Sequence, residues 1–255
     1  MTTTPDNPFA ALDVGERYRR GRPYHHPRSL ARVRALAGAE PATGRALDVA
    51  CGTGMSARAL ADVADLVVGL DASREMLRAA PVRAGVTYML GDAERMPFAD
   101  ACFDALTCSS GVHWLDQERF FAEVARIVRP RGWIGLYDHY FFGMPGVDEF
   151  PRWVDELFAR YPLPPRNPQV GDPRLATPAG FGVVGTDSFE DPIEMTREEF
   201  VDYEMTISNC VAAVERGVAH EEIRDWLFDS TDPLFGGASR TVQFIGSITC
   251  LRRLP

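Results

Sequence analysis

The chain has 255 residues, 45% of them hydrophobic, enough to bury a sizeable core within one α/β domain carrying an appendage. A formal charge of -9 and a pI near 5.1 argue against a nucleic-acid partner, because affinity for a phosphate backbone comes from clustered Lys and Arg. Cys51, Cys102, Cys108, Cys210 and Cys250 are odd in number and widely spaced, with no C-x-x-C pair and no Cys/His cluster, so buried reduced thiols are expected and no metal site.

The amino terminus lacks a basic region followed by an apolar core, and no apolar run nears the ~18 residues of a membrane span. A cytoplasmic protein without a membrane partner is expected. Residues 1–44 read as a helical flap, 45–140 as a binding core, 141–235 as a cover holding one strand, and 236–255 as a final strand, all in a single domain.

In chain order, short apolar runs alternate with helical segments, the pattern of βαβ units and a parallel sheet. The predicted strands are Leu47–Ala50, Leu66–Leu70, Val86–Leu90, Phe103–Thr107 and Trp133–Tyr137. Ser73 and Asp116 are placed to cap helices, the first stopping at Pro81 and the second carrying the stripe Phe120, Phe121, Val124, Ile127 and Val128. Beyond Asp138 the regularity fails. Residues 140–185 carry eight prolines around one predicted helix, Val147–Tyr161, which reads as a lid. Thr196 and Glu199 form a capping box, and Phe200, Tyr203, Ile207, Val211 and Val214 continue one helix face. A helix through Ile223, Trp226 and Leu227 and a strand over Thr241–Leu251 complete the chain.

The first strand runs into Ala50-Cys51-Gly52-Thr53-Gly54, and Gly52, Gly54 and Ala57 satisfy the G-x-G-x-x-G/A spacing of a nucleotide-binding turn. Asp71 closes the second strand, where a carboxylate can accept from both ribose hydroxyls; Asp92 closes the third, where it can meet an exocyclic adenine amine. A dinucleotide would be repelled by Asp48, inside the strand before the glycines. A cationic nucleoside without phosphate fits better, and S-adenosylmethionine has those properties.

The segments Leu47-Asp48-Val49-Ala50-Cys51-Gly52-Thr53-Gly54, Val68-Gly69-Leu70-Asp71-Ala72-Ser73, Gly91-Asp92-Ala93-Glu94-Arg95-Met96-Pro97-Phe98, Phe103-Asp104-Ala105-Leu106-Thr107 and Ala125–Gly132 resemble, in order and spacing, the motifs of class I S-adenosylmethionine-dependent methyltransferases, in the small-molecule branch typified by the type 11 domain. The resemblance implies a Rossmann-like seven-stranded sheet of order 3-2-1-4-5-7-6 with the last strand antiparallel and helices on both faces. Val184–Phe189 then becomes the sixth strand and Thr241–Leu251 the seventh. It also implies roles: Ala50, Cys51, Gly52 and Gly54 along the methionyl portion, Asp48 orienting its ammonium directly or through water, Asp71 on the ribose, Ala72 and Met76 beside the adenine, Asp92 and Ala93 at its edge, and Ser109 near the methionyl group. Tyr18-Arg19-Arg20-Gly21-Arg22-Pro23-Tyr24 is similar to a segment preceding the first motif in small-molecule members, which makes Tyr18 and Arg22 cofactor-binding candidates, with Arg22 suited to a carboxylate.

For the acceptor, Thr107-Cys108-Ser109-Ser110 replaces the Asn/Asp-Pro-Pro-Tyr/Phe motif of enzymes that modify base amines or glutamine amides, so a small molecule is expected. His113 is the first candidate for the base that takes the acceptor's proton; the alternative is that it packs with Trp114 under the cofactor. His139 and Tyr140 follow, then His25 and His26 in the flap. The expected function is methyl transfer to O, N or C of a small molecule. The alternatives are a non-methylating reaction such as a cyclisation in the presence of the same cofactor and, less favoured, a nicotinamide-dependent oxidoreductase.

Overall fold

The computed structural model describes residues 14–38, 43–165 and 178–255. Seven strands form one sheet: β1 (Thr43–Val49), β2 (Ala64–Asp71), β3 (Val86–Leu90), β4 (Phe103–Ser109), β5 (Val128–Gly143), β6 (Phe181–Met195) and β7 (Arg240–Arg253). Their order is β3-β2-β1-β4-β5-β7-β6, with β1 to β5 mutually parallel and β7 antiparallel to both its neighbours. The order implied by the family resemblance is the one observed, and the apolar runs lie in the strands expected.

Nine α-helices lie among the described residues: α1 (Val14–Gly21), α2 (His26–Ala37), α3 (Met55–Leu60), α4 (Arg74–Arg78), α5 (Gln117–Ile127), α6 (Phe150–Arg160), α7 (Arg197–Glu204), α8 (Ser208–Glu215) and α9 (His220–Phe235). Period-2 alternation sorts the strand side chains between two helix layers. Ala46, Val67, Ala105 and Trp133 pack under Leu30 and Val33 of α2 and Ala57 and Leu60 of α3. Leu47, Val49, Leu106, Ile134 and Leu136 face the stripe Phe120, Phe121, Val124 and Ile127 of α5. The expected caps form: Ser73 Oγ accepts from Met76 N at 3.2 Å, Asp116 Oδ1 from Arg119 N at 3.2 Å, and Thr196 with Glu199 closes the capping box.

Three expectations are corrected. The fifth strand does not stop near Asp138 but runs to Gly143, because ten residues of β7 pair with it between Trp133 and Gly143. The segment read as a lid therefore begins inside the sheet, with residues 141–143 part of β5. Phe141 and the α6 residues Phe150, Trp153 and Leu157 are built into a third core with Phe200, Phe235 and Phe244, while residues 166–177 lie outside those described. Finally, the helix expected through Tyr203 to Val214 is broken at Met205–Ile207. Thr206 Oγ1 donates to Tyr203 O at 2.6 Å, satisfying a carbonyl at the end of α7, and the chain turns there into α8.

Candidate functional site

The strand order reverses between β1 and β4, and beyond their carboxyl ends lies a cavity of about 540 Å³. Backbone geometry opens it. Both strands leave the sheet through non-glycine residues in the left-handed region, Ala50 (φ 53°) and Ser110 (φ 52°), an uncommon conformation that concentrates where a site over-determines it. Gly52 (φ 54°) and Gly54 (φ 73°) follow, and a Cβ on Gly54 would stand 2.7 Å from Cε1 of Tyr88. Gly54 thus meets its steric demand on the sheet side, and it does not line the cavity.

One half of the cavity is walled by the ends of β1 to β3: Ala50, Cys51, Gly52, Asp71, Ala72, Met76, Asp92 and Ala93. Asp71 Oδ2 accepts from Gly52 N at 2.7 Å and Oδ1 from Ser73 N at 2.8 Å, so its carboxylate locks the glycine turn to the end of β2. Burial pushes its carboxyl up while these N–H groups pull it back. Asp92 Oδ1 accepts from Glu94 N at 2.8 Å.

Asp48 stands one layer behind. It is wholly buried, and its oxygens accept from Ser56 Oγ and, at 2.7 Å, from Thr107 Oγ1. Desolvation pushes its carboxyl up to about 7 despite these bonds. Ser56 lines the cavity and Asp48 does not, so Ser56 stands between Asp48 and the cavity.

The other half of the cavity is walled by Ser109 at the end of β4 and His113 after it, by Asp138, His139 and Tyr140 in the carboxyl-terminal half of β5, and by Tyr203, Ile207 and Ser208 at the α7–α8 break. His113 sits on the 3-10 turn Val112–Trp114 with its ring 5.0 Å from that of Trp114. Tyr18 and Arg22 close the cavity from α1 and the residue after it. The Arg22 guanidinium is held between the rings of Tyr18 and Tyr203, 4.9 and 5.0 Å from their centroids, and donates to Thr206 O at 3.0 Å. Its buried Nε has no hydrogen-bond partner among the described residues. Of the candidate residues, the structure gathers Tyr18, Arg22, Ala50, Cys51, Gly52, Asp71, Ala72, Met76, Asp92, Ala93, Ser109 and His113 around one cavity; Asp48 and Gly54 support it from behind.

Sequence reasoning missed two groups here. Glu204 is buried with neither carboxyl oxygen bonded to any described residue, and burial pushes it up to about 8 against the pull of Arg22. Its position four residues after Phe200, on the apolar stripe of α7, was a readable signal. Asp191, bonded to His139 across the sheet, gave none, because strand register alone brings it there.

This sheet order with a cleft at its switch point defines the class I S-adenosylmethionine-dependent methyltransferase fold. The chain belongs to the methyltransferase family. Residues 47–136 match the methyltransferase domain family. The chain is 30% identical over 200 residues to the uncharacterized methyltransferase Mb3374 of Mycobacterium bovis, covering 77% of this chain and 75% of that one. It is 41% identical over 117 residues to the demethylmenaquinone methyltransferase of Corynebacterium kroppenstedtii, covering 46% of this chain and 49% of that one. It thus spans about half the length of this and other curated relatives that it matches. Among solved structures, a protein of Anaeromyxobacter dehalogenans provisionally described as a type II methyltransferase superposes with a TM-score of 0.67 at 27% identity, over 88% of this chain and 96% of that one.

S-adenosylmethionine fits these residues. The unpartnered Arg22 Nε suits a carboxylate, and the glycine turn is backed by the acids Asp48 and Asp71 rather than by cations that would hold a phosphate. Among the described residues no cluster of His, Cys, Asp or Glu could hold a metal, and no helix is long and apolar enough to cross a membrane.

Proposed function

We propose that the chain transfers a methyl group from S-adenosylmethionine to a small molecule. The observation that carries this reading is the charge layout of one cavity, with carboxylates around the glycine turn and the Arg22 guanidinium, held between Tyr18 and Tyr203, in the same lining. When bound, the cofactor supplies an electrophilic methyl on a sulfonium. In this reading Asp71 accepts from the ribose hydroxyls, Ala72, Met76, Asp92 and Ala93 hold the adenine, and the backbone of Ala50, Cys51 and Gly52 follows the methionyl chain. Arg22, steadied by Tyr18, takes its carboxylate, and Ser56 passes the charge of Asp48 toward its ammonium. Ser109 stands beside the point of transfer.

The acceptor occupies the half walled by Trp114, Tyr140, Tyr203 and Ile207, whose mixed aromatic and aliphatic faces suit a small, partly apolar molecule. In-line displacement gains much of its rate from holding the two reactants aligned, and in this reading both sit in the one cavity. His113 and His139 both line that half, and both are candidates for the group that takes a proton from the acceptor. The name of the Corynebacterium relative supports a small-molecule acceptor. The five free cysteines support a reducing, cytoplasmic setting.

Calorimetric titration with S-adenosylmethionine, S-adenosylhomocysteine and NAD tests the cofactor, and binding of NAD alone would sink the reading. Following a labelled methyl group into product distinguishes methyl transfer from a cyclisation or other reaction in which the label stays on the cofactor.

A further inference from the structure

We propose that Asp191 and His139 form the proton-accepting pair of this site, and that the acceptor is a small molecule methylated at a hydroxyl oxygen. This rests on the methyl-transfer reading above. His139 is in the carboxyl-terminal half of β5, in the acceptor half of the cavity beside Asp138 and Tyr140. Its ring is a slab between two others: His25 lies parallel at 4.1 Å (6°) and Phe244 at 4.9 Å (7°). Both faces are therefore occupied, and only the ring edge can do chemistry.

That edge is oriented. His139 Nε2 lies 2.9 Å from Asp191 Oδ2, and Arg28 Nη1 donates to Asp191 Oδ1 at 2.6 Å. The Arg28 guanidinium is itself set on the Phe189 ring, 4.4 Å from its centroid. Gly246, opposite both His139 and Phe189 in the sheet, leaves room for the Phe189 ring, since a Cβ there would stand 2.8 Å from its Cδ1. A carboxylate accepts only, so Nε2 carries the proton and Nδ1 keeps the lone pair. The bond to Asp191 satisfies a buried ring N–H, and it also gives a base a defined tautomer and direction.

Burial lowers His139 first, and the groups facing it divide, Asp191 raising it and Arg22 and Arg28 lowering it. From the start of α2 come His25, His26 and Arg28, from the end of α1 Arg22, from β6 Asp191. Burial pushes His25 far down and His26 to about 3, so neither adds a charge near neutrality.

A neutral amine attacks the methyl carbon through its lone pair and sheds its proton afterwards, whereas a hydroxyl oxygen must lose its proton as the new bond forms. A fixed base inside the cavity is thus matched to a hydroxyl. The hydroxyl proton passes to His139 Nδ1, an oxygen lone pair forms the O–CH3 bond, and the pair of the breaking S–CH3 bond stays on sulfur as a thioether. The imidazolium, countered by Asp191, then returns its proton to solvent.

The test begins with the ligand-free protein carrying 15N-histidine. Long-range 1H–15N spectra at about pH 8 are expected to show His139 neutral with its proton on Nε2, a preference lost in Asp191→Leu. With labelled S-adenosylmethionine and catechol or benzylamine as probes, transfer to catechol is expected. His139→Gln should lower kcat by about 10²-fold or more and remove the low-pH limb, while calorimetric cofactor affinity stays within about threefold. His113→Gln should keep that limb. An Nδ1–H tautomer in the wild type, or a limb that moves with His113 instead, overturns the pair. Transfer to benzylamine in preference to catechol, or to neither, overturns the hydroxyl class. Failure to bind S-adenosylmethionine would instead bring down the methyl-transfer reading, and the tautomer still decides the pair.

Discussion

Arg22 donates to the carbonyl of Thr206 at 3.0 Å, across 184 residues of chain, and so ties the end of α1 to the break between α7 and α8. That carbonyl is free to accept because the helix stops there, and the same break puts Tyr203, Ile207 and Ser208 into the cavity wall. Gly21 permits the approach; a Cβ on it would stand 2.8 Å from the backbone carbon of Asp202.

Arg22→Ala should weaken S-adenosylmethionine binding by about 1.5–3 kcal/mol, the range for hydrogen bonds to a charged partner, with Arg22→Lys intermediate because it keeps the charge and loses the fork. Calorimetry measures this. Equal affinity in all three proteins would remove Arg22 from the cofactor site.

Asp71→Ala should cost about 1–3 kcal/mol of cofactor affinity and also lower stability, because the N–H groups of Gly52 and Ser73 lose their acceptor. Asp71→Asn retains one acceptor oxygen and should fall between. A variant that loses stability without losing affinity would confine Asp71 to holding the turn.

Stability should fall as pH rises through neutrality. Glu204 and Asp48 are pushed up to about 8 and about 7, first by desolvation, from the ordinary 4.5 and 3.8. The folded chain therefore holds protons that the unfolded chain releases, so their contribution is complete at about pH 4 and is lost as pH climbs through the folded values. Urea unfolding between about pH 5 and 9 should give a declining free energy, on the order of a few kcal/mol in all. Glu204→Gln should flatten the upper part of that decline. An unchanged slope would show that Glu204 is ionised in the folded state and paired with Arg22.

Gly54→Ala should destabilise by about 2–4 kcal/mol, combining the left-handed backbone with the clash against Tyr88. Tyr88→Phe removes a buried hydroxyl that has no partner among the described residues and should be neutral or slightly stabilising. Thermal melts of both check this. If Gly54→Ala melts with the wild type, the turn is more compliant than its geometry indicates.

The sequence by itself determined the parallel core and one half of the cavity. Strand runs such as Leu66–Leu70, the glycine turn after Ala50, and Asp71 and Asp92 closing their strands are local patterns, and in a βαβ unit local order fixes spatial order. The caps at Ser73, Asp116 and Thr196 were equally legible, because each is satisfied within three residues. What only the tertiary structure decided depends on partners far away in sequence. Asp48 turned inward to Ser56 and Thr107, since alternation along β1 sends it to the α3 face rather than to the cavity. The α7 helix ended at a carbonyl that Arg22 could take, and α6 became core because Phe200 and Phe244 were there to cover it. Asp191 reached His139 only through the register of β6 on β7 and of β7 on β5, a long-range pairing set by which faces bury apolar side chains and by no pattern around either residue.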